Sequence, residues 1–211
     1  MDRRHFLETL AAGLITAGCV PPRQSMPART AVPVEQDEDG LTPLSRFFVT
    51  AITAFAPNID VNETQLKIEG VVDNPLAMNY DELKLPPQQT NRSVLQCVGG
   101  ARGNAEWVGM PLRHILERAG VQGDGKKVIF YAADGYESSI PLAAAMKPDS
   151  LMALEMNGEP LWLKHGSPVR LVLPGMYGYK QVKWITRVEV VTHNHKGYWE
   201  QQGYSDDGTI R

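Results

Sequence analysis

The spacing of turn signals is the feature that most constrains the fold of this chain. From Leu41 onward, short apolar runs are interrupted by clusters such as Asp73-Asn74-Pro75, Asp134-Gly135 and Asn157-Gly158-Glu159-Pro160. Runs of this length with alternating polar and apolar residues are typical of β-strands, and turn clusters of this kind end them. The predicted strands are residues 66–72, 93–98, 127–133, 151–156, 161–163, 169–173 and 182–191.

One segment has the clear pattern of a helix. Residues 111–119 carry apolar residues at helical spacing, with Pro111 suited to the first helical position and Gly120 suited to a left-handed end. Residues 80–83 predict a further short helical turn. With one strong helix among roughly seven strands, the sequence predicts a β-rich α+β fold and not a regular βαβ arrangement.

The N-terminal segment, residues 1–19, has the order of an export signal. Arg3 and Arg4 supply positive charge, a short apolar core follows, and small residues precede Cys19. The core is far shorter than the roughly 20 residues of a membrane-spanning helix. The segment resembles a twin-arginine signal, and its end resembles a lipoprotein cleavage box. We therefore expect a periplasmic or otherwise exported protein, with a lipid anchor on Cys19 if that box is used. An ordinary export signal or an uncleaved tail is the alternative.

The composition of residues 20–40 predicts a disordered linker. This stretch holds four prolines and a run of acidic residues but few large apolar side chains, so it cannot bury enough surface to offset its chain entropy. Residues 41–211 remain, which is enough for one domain with a sizeable core. The net charge of −3 and the pI near 6.0 argue against a nucleic-acid-binding surface.

A lone cysteine, Cys97, is the first candidate for chemistry. The chain has 2 cysteines, and because Cys19 lies in the signal, Cys97 has no evident disulfide partner. From the residues alone, three roles are open. Cys97 is a small buried hydrophobic residue, a nucleophile with His165 as its base, or a metal ligand with His193 and His195, although no common zinc spacing supports the last.

Four longer segments occur together in one order. They are LQCVGGARGNAEWVGMPLRHILERAGV, ADGYESSIPL, MNGEPLWLKHGSPVRLVLPGMYGYKQVKWITRVEVV and GYWEQQGY. Together they resemble the molybdopterin-binding domain of the sulfite oxidase family, which includes protein-methionine-sulfoxide reductase catalytic subunits. The resemblance covers Leu41 to Tyr204. It implies a sulfite-oxidase-type fold with mixed sheets and a few short helices, and a molybdenum–molybdopterin cofactor.

The resemblance also implies roles for single residues. Cys97 would bind molybdenum through its thiolate, a soft ligand suited to that metal. Gly99, Gly100 and Gly103 would let the backbone approach the cofactor. Arg102 and Tyr204 would act on the substrate near the metal. The remaining implied cofactor contacts are Asp134, His165, Arg170, Gly178, Tyr179, Lys180 and Lys183.

One segment departs from the family's pattern. Where family members commonly read FFVRNH, this chain reads Phe47-Phe48-Val49-Thr50-Ala51-Ile52, and Gly100 replaces the asparagine common after CVG. The family's arginine helps to hold an oxyanion, so its loss removes one of the main attractions for a dianionic substrate.

These observations predict an exported molybdenum oxidoreductase that transfers an oxygen atom to or from a small substrate, either a sulfite-like oxyanion or an S-oxide. The sequence contains no CxxCH haem-attachment motif and no flavin fingerprint, so we expect a separate electron-transfer protein, such as a cytochrome, as partner. The alternatives are a cofactor-free exported binding lipoprotein with the same fold and a thiol enzyme that uses Cys97 and His165.

Overall fold

The structure is a computed structural model that describes residues 36–211. The predicted export signal and residues 20–35 of the predicted linker lie outside this range. Residues 37–40, at the end of that linker, form a turn in which the Asp37 carboxylate accepts a hydrogen bond from the Leu41 amide at 2.7 Å. The side chain of Asn104 donates to the Gly40 carbonyl at 2.8 Å, which joins this turn to the domain. Within the described range no helix is long and apolar enough to cross a membrane.

Short strands dominate the described part of the chain. The strands are β1 (Gln65–Gly70), β2 (Leu76–Asn79), β3 (Gln89–Gln96), β4 (Arg102–Pro111), β5 (Lys127–Ala132), β6 (Glu137–Pro141), β7 (Leu151–Met156), β8 (Glu159–Pro160), β9 (Arg170–Val172) and β10 (Ile185–Val191). The helices are α1 (Tyr80–Leu83), α2 (Leu112–Ala119), α3 (Leu142–Ala145) and α4 (Tyr198–Gln201), with 3₁₀ turns at Leu163–His165 and Gly178–Lys180.

The strands form two sheets. One has the order β2-β1-β10-β5-β6, and the other has the order β3-β4-β7-β8, with β9 paired to β7. β1 and β10 are parallel, while the other strand pairs of the first sheet are antiparallel, so that sheet is mixed. The second sheet is antiparallel. This architecture confirms the predicted β-rich α+β fold with mixed strand pairing and few short helices.

Local sequence patterns placed several elements correctly. The predicted strands 66–72, 127–133 and 151–156 are found as β1, β5 and β7, and α1 begins with a capping box between Asn79 and Glu82. Gly120 ends α2 at a φ of 68°, as predicted. Pro111, however, lies just before α2 as the last residue of β4, and not at the first helical position.

Two predicted features are wrong. The sequence predicts no strand over residues 102–111, yet this segment forms β4, whose inward residues Gly103, Ala105 and Trp107 alternate with less buried ones. The residues that pair with β7 across its hairpin are Glu159–Pro160, and residues 161–163 instead lead into a 3₁₀ turn. Glycine at inward positions of β4 reads as a loop signal when the neighbouring strand is unknown.

Two clusters of buried apolar side chains stabilise the domain. The larger one gathers the apolar face of α2, including Ile115 and Leu116, with residues from both sheets. The smaller one surrounds Phe47 and Trp107, whose rings meet edge to face with centroids 6.1 Å apart. The second cluster supports the hairpin of β3 and β4, which carries Cys97 at its tip.

Candidate active site

A cavity of about 310 Å³ opens beside Cys97. Its walls come from the end of β3, the turn after β5, both 3₁₀ turns and residues 48–52, with α4 and the residues after it closing one side. The cavity brings together eight of the ten residues that the resemblance singles out. These are Cys97, Asp134, His165, Arg170, Gly178, Tyr179, Lys183 and Tyr204. Arg102 and Lys180 are not part of the lining.

Backbone hydrogen bonds fix the turn that carries Cys97. The Cys97 amide donates to the Ala101 carbonyl at 2.7 Å, and the Gly100 amide donates to the Cys97 carbonyl at 3.0 Å. Gly100 has a φ of 96°, a conformation that favours glycine. The thiol of Cys97 is free and only partly buried. It is therefore presented to the cavity and is not a residue of the apolar core.

The glycines after Cys97 have different roles. A Cβ atom on Gly99 would lie 3.8 Å from the Cys97 sulfur, which is an ordinary contact beside the thiol. A Cβ atom on Gly103 would lie 2.5 Å from the Phe47 ring. Gly103 therefore makes room for a core phenylalanine, and this corrects the expectation that it lets the backbone approach a cofactor.

Two cations, the buried Arg170 and the half-buried Lys183, line the cavity. Arg170 is 3% exposed and donates to the carbonyls of His165 and Gln181 at 3.0 and 3.4 Å. Its Nε has no hydrogen-bond partner in the described part of the chain. Burial lowers the pKa of Arg170 to about 10. The environment of Arg170 thus disfavours its charge, which an anion in the cavity would stabilise.

Lys183 is a second cation of the cavity lining, and it is half-buried. Its Nζ donates to the Lys164 carbonyl at 3.1 Å and lies 3.9 Å from the centre of the Trp184 ring. Burial, and then the positive charge of Arg170, lower the pKa of Lys183 to about 8, while Asp134 opposes that change. Within residues 36–211 neither Lys183 nor Arg170 forms an ion pair with a carboxylate.

His165 is held as a neutral ring. Its Nε2 lies 3.3 Å from the Leu44 carbonyl oxygen, and its ring packs against Phe47 and Trp162 at centroid distances of 5.7 and 6.1 Å. Burial lowers the pKa of His165 to about 4. The described residues show no hydrogen bond between His165 and Cys97, and the hydrogen-bond partner of the ring is the Leu44 carbonyl. The structure therefore shows no thiol–base pair of the kind that the thiol-enzyme hypothesis needs.

The positions of His193 and His195 do not support the hypothesis of a zinc site with Cys97. His195 contacts the Glu137 carboxylate at 3.2 Å, and its ring centroid is 6.3 Å from that of His193. Neither histidine lines the cavity that contains Cys97. Among the described residues no group of three or more histidine, cysteine or acidic side chains has the arrangement of a metal site.

Lys180 faces the protein interior and not the cavity, contrary to its expected role as a cofactor contact. Its side chain is completely buried, donates to the Ser139 carbonyl at 2.8 Å and forms an ion pair with Glu200. The 3₁₀ turn directs Lys180 inward, while its neighbours Gly178 and Tyr179 line the cavity. The Lys180–Glu200 pair supports α4, whose Trp199 belongs to the cavity wall.

Arg102 is placed outside the cavity by strand geometry. It is the first residue of β4, it is exposed, and it pairs with Gln96 of β3. Successive side chains of a strand point to opposite faces. Since Gly103 faces the Phe47 cluster, Arg102 faces solvent, and the predicted contact with substrate is not seen.

Sequence reasoning missed several residues of the cavity wall. Tyr136 donates to the Tyr179 carbonyl at 2.5 Å, and burial raises its pKa. Trp184 has a φ of 52° and donates to the Leu163 carbonyl at 2.7 Å. Trp199 packs against Tyr204 at a centroid distance of 5.0 Å. These residues could have been identified only from their position within the quoted motifs, because their local periodicity does not distinguish them from core aromatic residues.

Comparison with known proteins identifies the family. The model of the oxidoreductase molybdopterin binding domain matches residues 53–199. The chain is 34% identical to the uncharacterized oxidoreductase YuiH of Bacillus subtilis (strain 168), over 69% of this chain and 74% of that protein. It is 36% identical to the mitochondrial sulfite oxidase of Drosophila melanogaster, over 70% of this chain. The chain belongs to the sulfite oxidase family of molybdopterin-binding oxidoreductases.

A further relative and a solved structure agree with this assignment. The chain is 35% identical, over 70% of its length, to a putative protein-methionine-sulfoxide reductase subunit, YedZ1, of Azospira oryzae. The crystal structure of the sulfane dehydrogenase SoxCD from Paracoccus pantotrophus superposes with a TM-score of 0.70, at 26% identity over 89% of this chain. The chain spans 30% of the Drosophila protein, 56% of YedZ1 and 58% of the SoxCD chain. The predicted family, fold and molybdenum–molybdopterin cofactor are confirmed.

The cavity residues fit that cofactor. A single thiolate is the protein ligand that leaves room for the sulfurs of a pterin dithiolene. Arg170 offers a planar donor set and Lys183 a point charge to a terminal phosphate. Arg170 lines the cavity and forms no ion pair within residues 36–211, and burial lowers its pKa, so an anionic group of a ligand would stabilise its charge. The cavity volume is also within the range of small-molecule sites.

Proposed function

We propose that the protein is a molybdenum-cofactor oxidoreductase that transfers an oxygen atom to or from a small substrate, and that it exchanges the electrons with a separate redox protein. The observation that carries the proposal is the free thiol of Cys97 in a cavity that is also lined by the buried Arg170 and the half-buried Lys183, neither of which pairs with a carboxylate within residues 36–211. When bound, the cofactor supplies the oxygen-atom transfer and the two-electron redox change, and the protein supplies position and electrostatics.

The roles of the chain's own residues follow from their placement. Cys97 holds the metal, and Arg170 and Lys183 hold the phosphate of the pterin. Because desolvation of Arg170 and partial desolvation of Lys183 disfavour their charges, an anion in the cavity would stabilise both cations. His165 contributes a neutral ring, since its pKa of about 4 keeps it uncharged near pH 7. Asp134, Gly178 and the Tyr179 backbone complete the polar wall.

Aromatic residues line a further part of the cavity that we expect the substrate to contact. The Tyr204 ring lies edge to face with Tyr179 at a centroid distance of 5.3 Å. The Tyr179 hydroxyl donates to the Ser205 carbonyl at 2.6 Å, and burial raises its pKa to about 12, so Tyr179 stays protonated and fixed. Tyr204 is thus oriented by its neighbours and is the residue of this part of the cavity that we assign to substrate contact.

Export and partner are parts of the same proposal. The Arg3-Arg4 pair, the short apolar core and the small residues before Cys19 support export to the periplasm, with an optional lipid anchor. The absence of haem and flavin motifs from this sequence supports electron exchange with a cytochrome or a similar protein.

Metal analysis tests the proposal directly. The full chain is produced with its N-terminal segment in a host that makes the cofactor, and molybdenum and pterin are quantified for wild type, Cys97→Ser and the matched control Cys19→Ser. We expect stoichiometric molybdenum in wild type and in Cys19→Ser, and at least a tenfold loss in Cys97→Ser. Wild-type protein that is folded but contains neither molybdenum nor pterin would contradict the proposal and favour the cofactor-free binding lipoprotein.

A further inference from the structure

The cavity has two walls of different chemistry. Its charged side chains and its histidine, at residues 134, 164, 165, 170 and 183, belong to one cluster. Lys183 donates to the Lys164 carbonyl, Arg170 donates to the His165 carbonyl, and Asp134 acts electrostatically on Lys183. The other wall includes five consecutive residues, 48–52, which we name the strap. The strap lies within a longer stretch, residues 47–59, that contains no charged side chain.

The strap begins beside the thiol's hairpin. Phe47, which directly precedes it, is buried against Gly103 of β4, and Gly103 pairs with Leu95 of β3. Leu95 lies two residues before Cys97 and also lines the cavity. The strap and the thiol therefore share one side of the cavity, together with Val98 and Gly99.

The approach to this side is apolar. Val49 of the strap and Val98 of the hairpin are 47% and 46% exposed while they also line the cavity. Within the strap, the Thr50 hydroxyl is the side-chain hydrogen-bonding group. Arg102, the nearest cation along the hairpin sequence, faces solvent outside the lining.

The apolar composition of the strap determines which substrates gain free energy when they leave water and enter the cavity. A small dianion gives up strong hydration and regains it only where charged or multiple donors meet it. The strap offers neither. On the other wall, Arg170 and Lys183 are engaged by the phosphate of the cofactor in the function proposed above, and the Lys164 ammonium lies 4.8 Å from the centre of the Trp162 ring. A neutral molecule with apolar groups loses little hydration and gains from burial against Val49, Ile52 and Val98.

We propose that the strap makes the cavity selective for a neutral substrate that carries apolar groups on its reacting atom, such as an alkyl aryl sulfoxide or the corresponding sulfide, over inorganic oxyanions. This inference rests on the proposed function, because the cofactor decides which wall the substrate meets. In the reductive direction the sulfoxide takes up two electrons and two protons, its sulfur–oxygen bond breaks, and the products are the sulfide and one molecule of water. Two molecules of a one-electron-reduced viologen dye supply the two electrons, and the solvent supplies the two protons.

Two readouts on the molybdenum-loaded protein test the inference. The first readout compares the affinities of two unreactive probes, methyl phenyl sulfone and sulfate. Binding is detected by the change in fluorescence of Trp184 and Trp199, which line the cavity. The second is kcat/KM for methyl phenyl sulfoxide with reduced viologen against kcat/KM for sulfite with ferricyanide. We expect the sulfone to bind at least tenfold more tightly than sulfate, and the sulfoxide to be the better substrate.

A substitution in the strap provides the matched comparison. Thr50→Arg places a cation in the wall, and we expect it to tighten sulfate binding at least tenfold while it weakens sulfone binding. Thr90→Arg makes the same change on the exposed face of β3 and should leave both unchanged.

The outcomes separate the two proposals. Molybdenum-loaded wild type that binds sulfate as tightly as the sulfone, or that prefers sulfite as substrate, overturns the selectivity inference and leaves the proposed function intact. Equal responses of Thr50→Arg and Thr90→Arg also overturn it. Folded wild type without molybdenum overturns the proposed function, and the inference with it.

Discussion

Lys180 and Lys183 are three residues apart, yet they lie in regions with opposite charge balance. Lys180 belongs to a buried cluster in which two lysines meet two carboxylates. It pairs with Glu200, and Asp206 lies 3.8 Å from it and 2.6 Å from Lys127. Lys183 belongs to the cationic end of the cavity, where Arg170 is its neighbour and no carboxylate pairs with either in residues 36–211.

The difference shows how the protein uses charge. In the Lys180 cluster the positive and negative groups compensate each other, so the cluster holds the C-terminal residues against β6 and offers nothing to a ligand. At the cavity neither cation forms an ion pair with a carboxylate in residues 36–211, and burial lowers the pKa of Lys183 and of Arg170. A buried cation without a partner costs stability, so its presence at a cavity indicates an anionic ligand.

The largest effect on stability is expected from a substitution that breaks the Lys180–Glu200 ion pair. Glu200→Ala leaves the buried ammonium of Lys180 without its partner, so we expect the free energy of unfolding to fall by about 3–5 kcal/mol. Urea unfolding measures it. Glu117→Ala, at an exposed pair with Arg113 of 3.6 Å, is the control and should change stability by less than about 0.5 kcal/mol. Equal losses in the two variants would show that the buried cluster does not stabilise this region more than a surface pair does.

The same comparison explains what the sequence could and could not predict. The α1, α2 and β1 elements depend on local spacing and caps, and the sequence placed them well. Family motifs placed eight of the ten site residues in the cavity lining. Lys180 and Lys183 look alike in sequence, and only the packing of the 3₁₀ turn against β6 and α4 decides that Lys180 points inward.

The sequence failed to predict strand β4 for a similar reason. Gly103 and Gly109 read as loop residues, but a Cβ atom on Gly103 would overlap Phe47, and one on Gly109 would overlap the Met152 carbonyl. These glycines permit close packing between elements that are far apart in sequence. Arg102 was misplaced for the same reason, because its orientation follows from the register of β4.

A smaller effect on stability is expected from Lys183, which lines the cavity and has no carboxylate partner in residues 36–211. The pKa of Lys183 is lowered to about 8 from its ordinary 10.5 in the folded chain. Between these two pH values the unfolded chain holds the proton that the folded chain has released, so the stability contribution of Lys183 rises with pH across this window. In cofactor-free protein, we expect Lys183→Met to remove the part of this increase in the free energy of unfolding that comes from Lys183.

Paired unfolding measurements isolate that contribution. The free energy of unfolding is measured across that pH window in a Cys97→Ser background, with and without Lys183→Met, and the difference between the two curves is compared. Lys84→Met, at an exposed lysine, is the control and should leave the curve parallel to that of the parent. A Lys183→Met curve that is also parallel to the parent would show that Lys183 is not a destabilised cation in the folded protein.

The smallest expected effect concerns a charge pair at the surface. Arg187 Nη1 lies 2.8 Å from Glu69 and 3.2 Å from Glu189, and its guanidinium lies 3.7 Å from the centre of the Tyr131 ring. Because Arg187 keeps two of these contacts in Glu69→Gln, and because solvent reaches the pair, we expect a loss below about 1 kcal/mol. The loss should shrink further at about 1 M salt, where the screening length is about 3 Å. The loss caused by Glu200→Ala should persist at that salt concentration, since the Lys180–Glu200 pair is buried. If both losses respond equally to salt in urea unfolding, the distinction between compensated buried charges and screened surface charges fails.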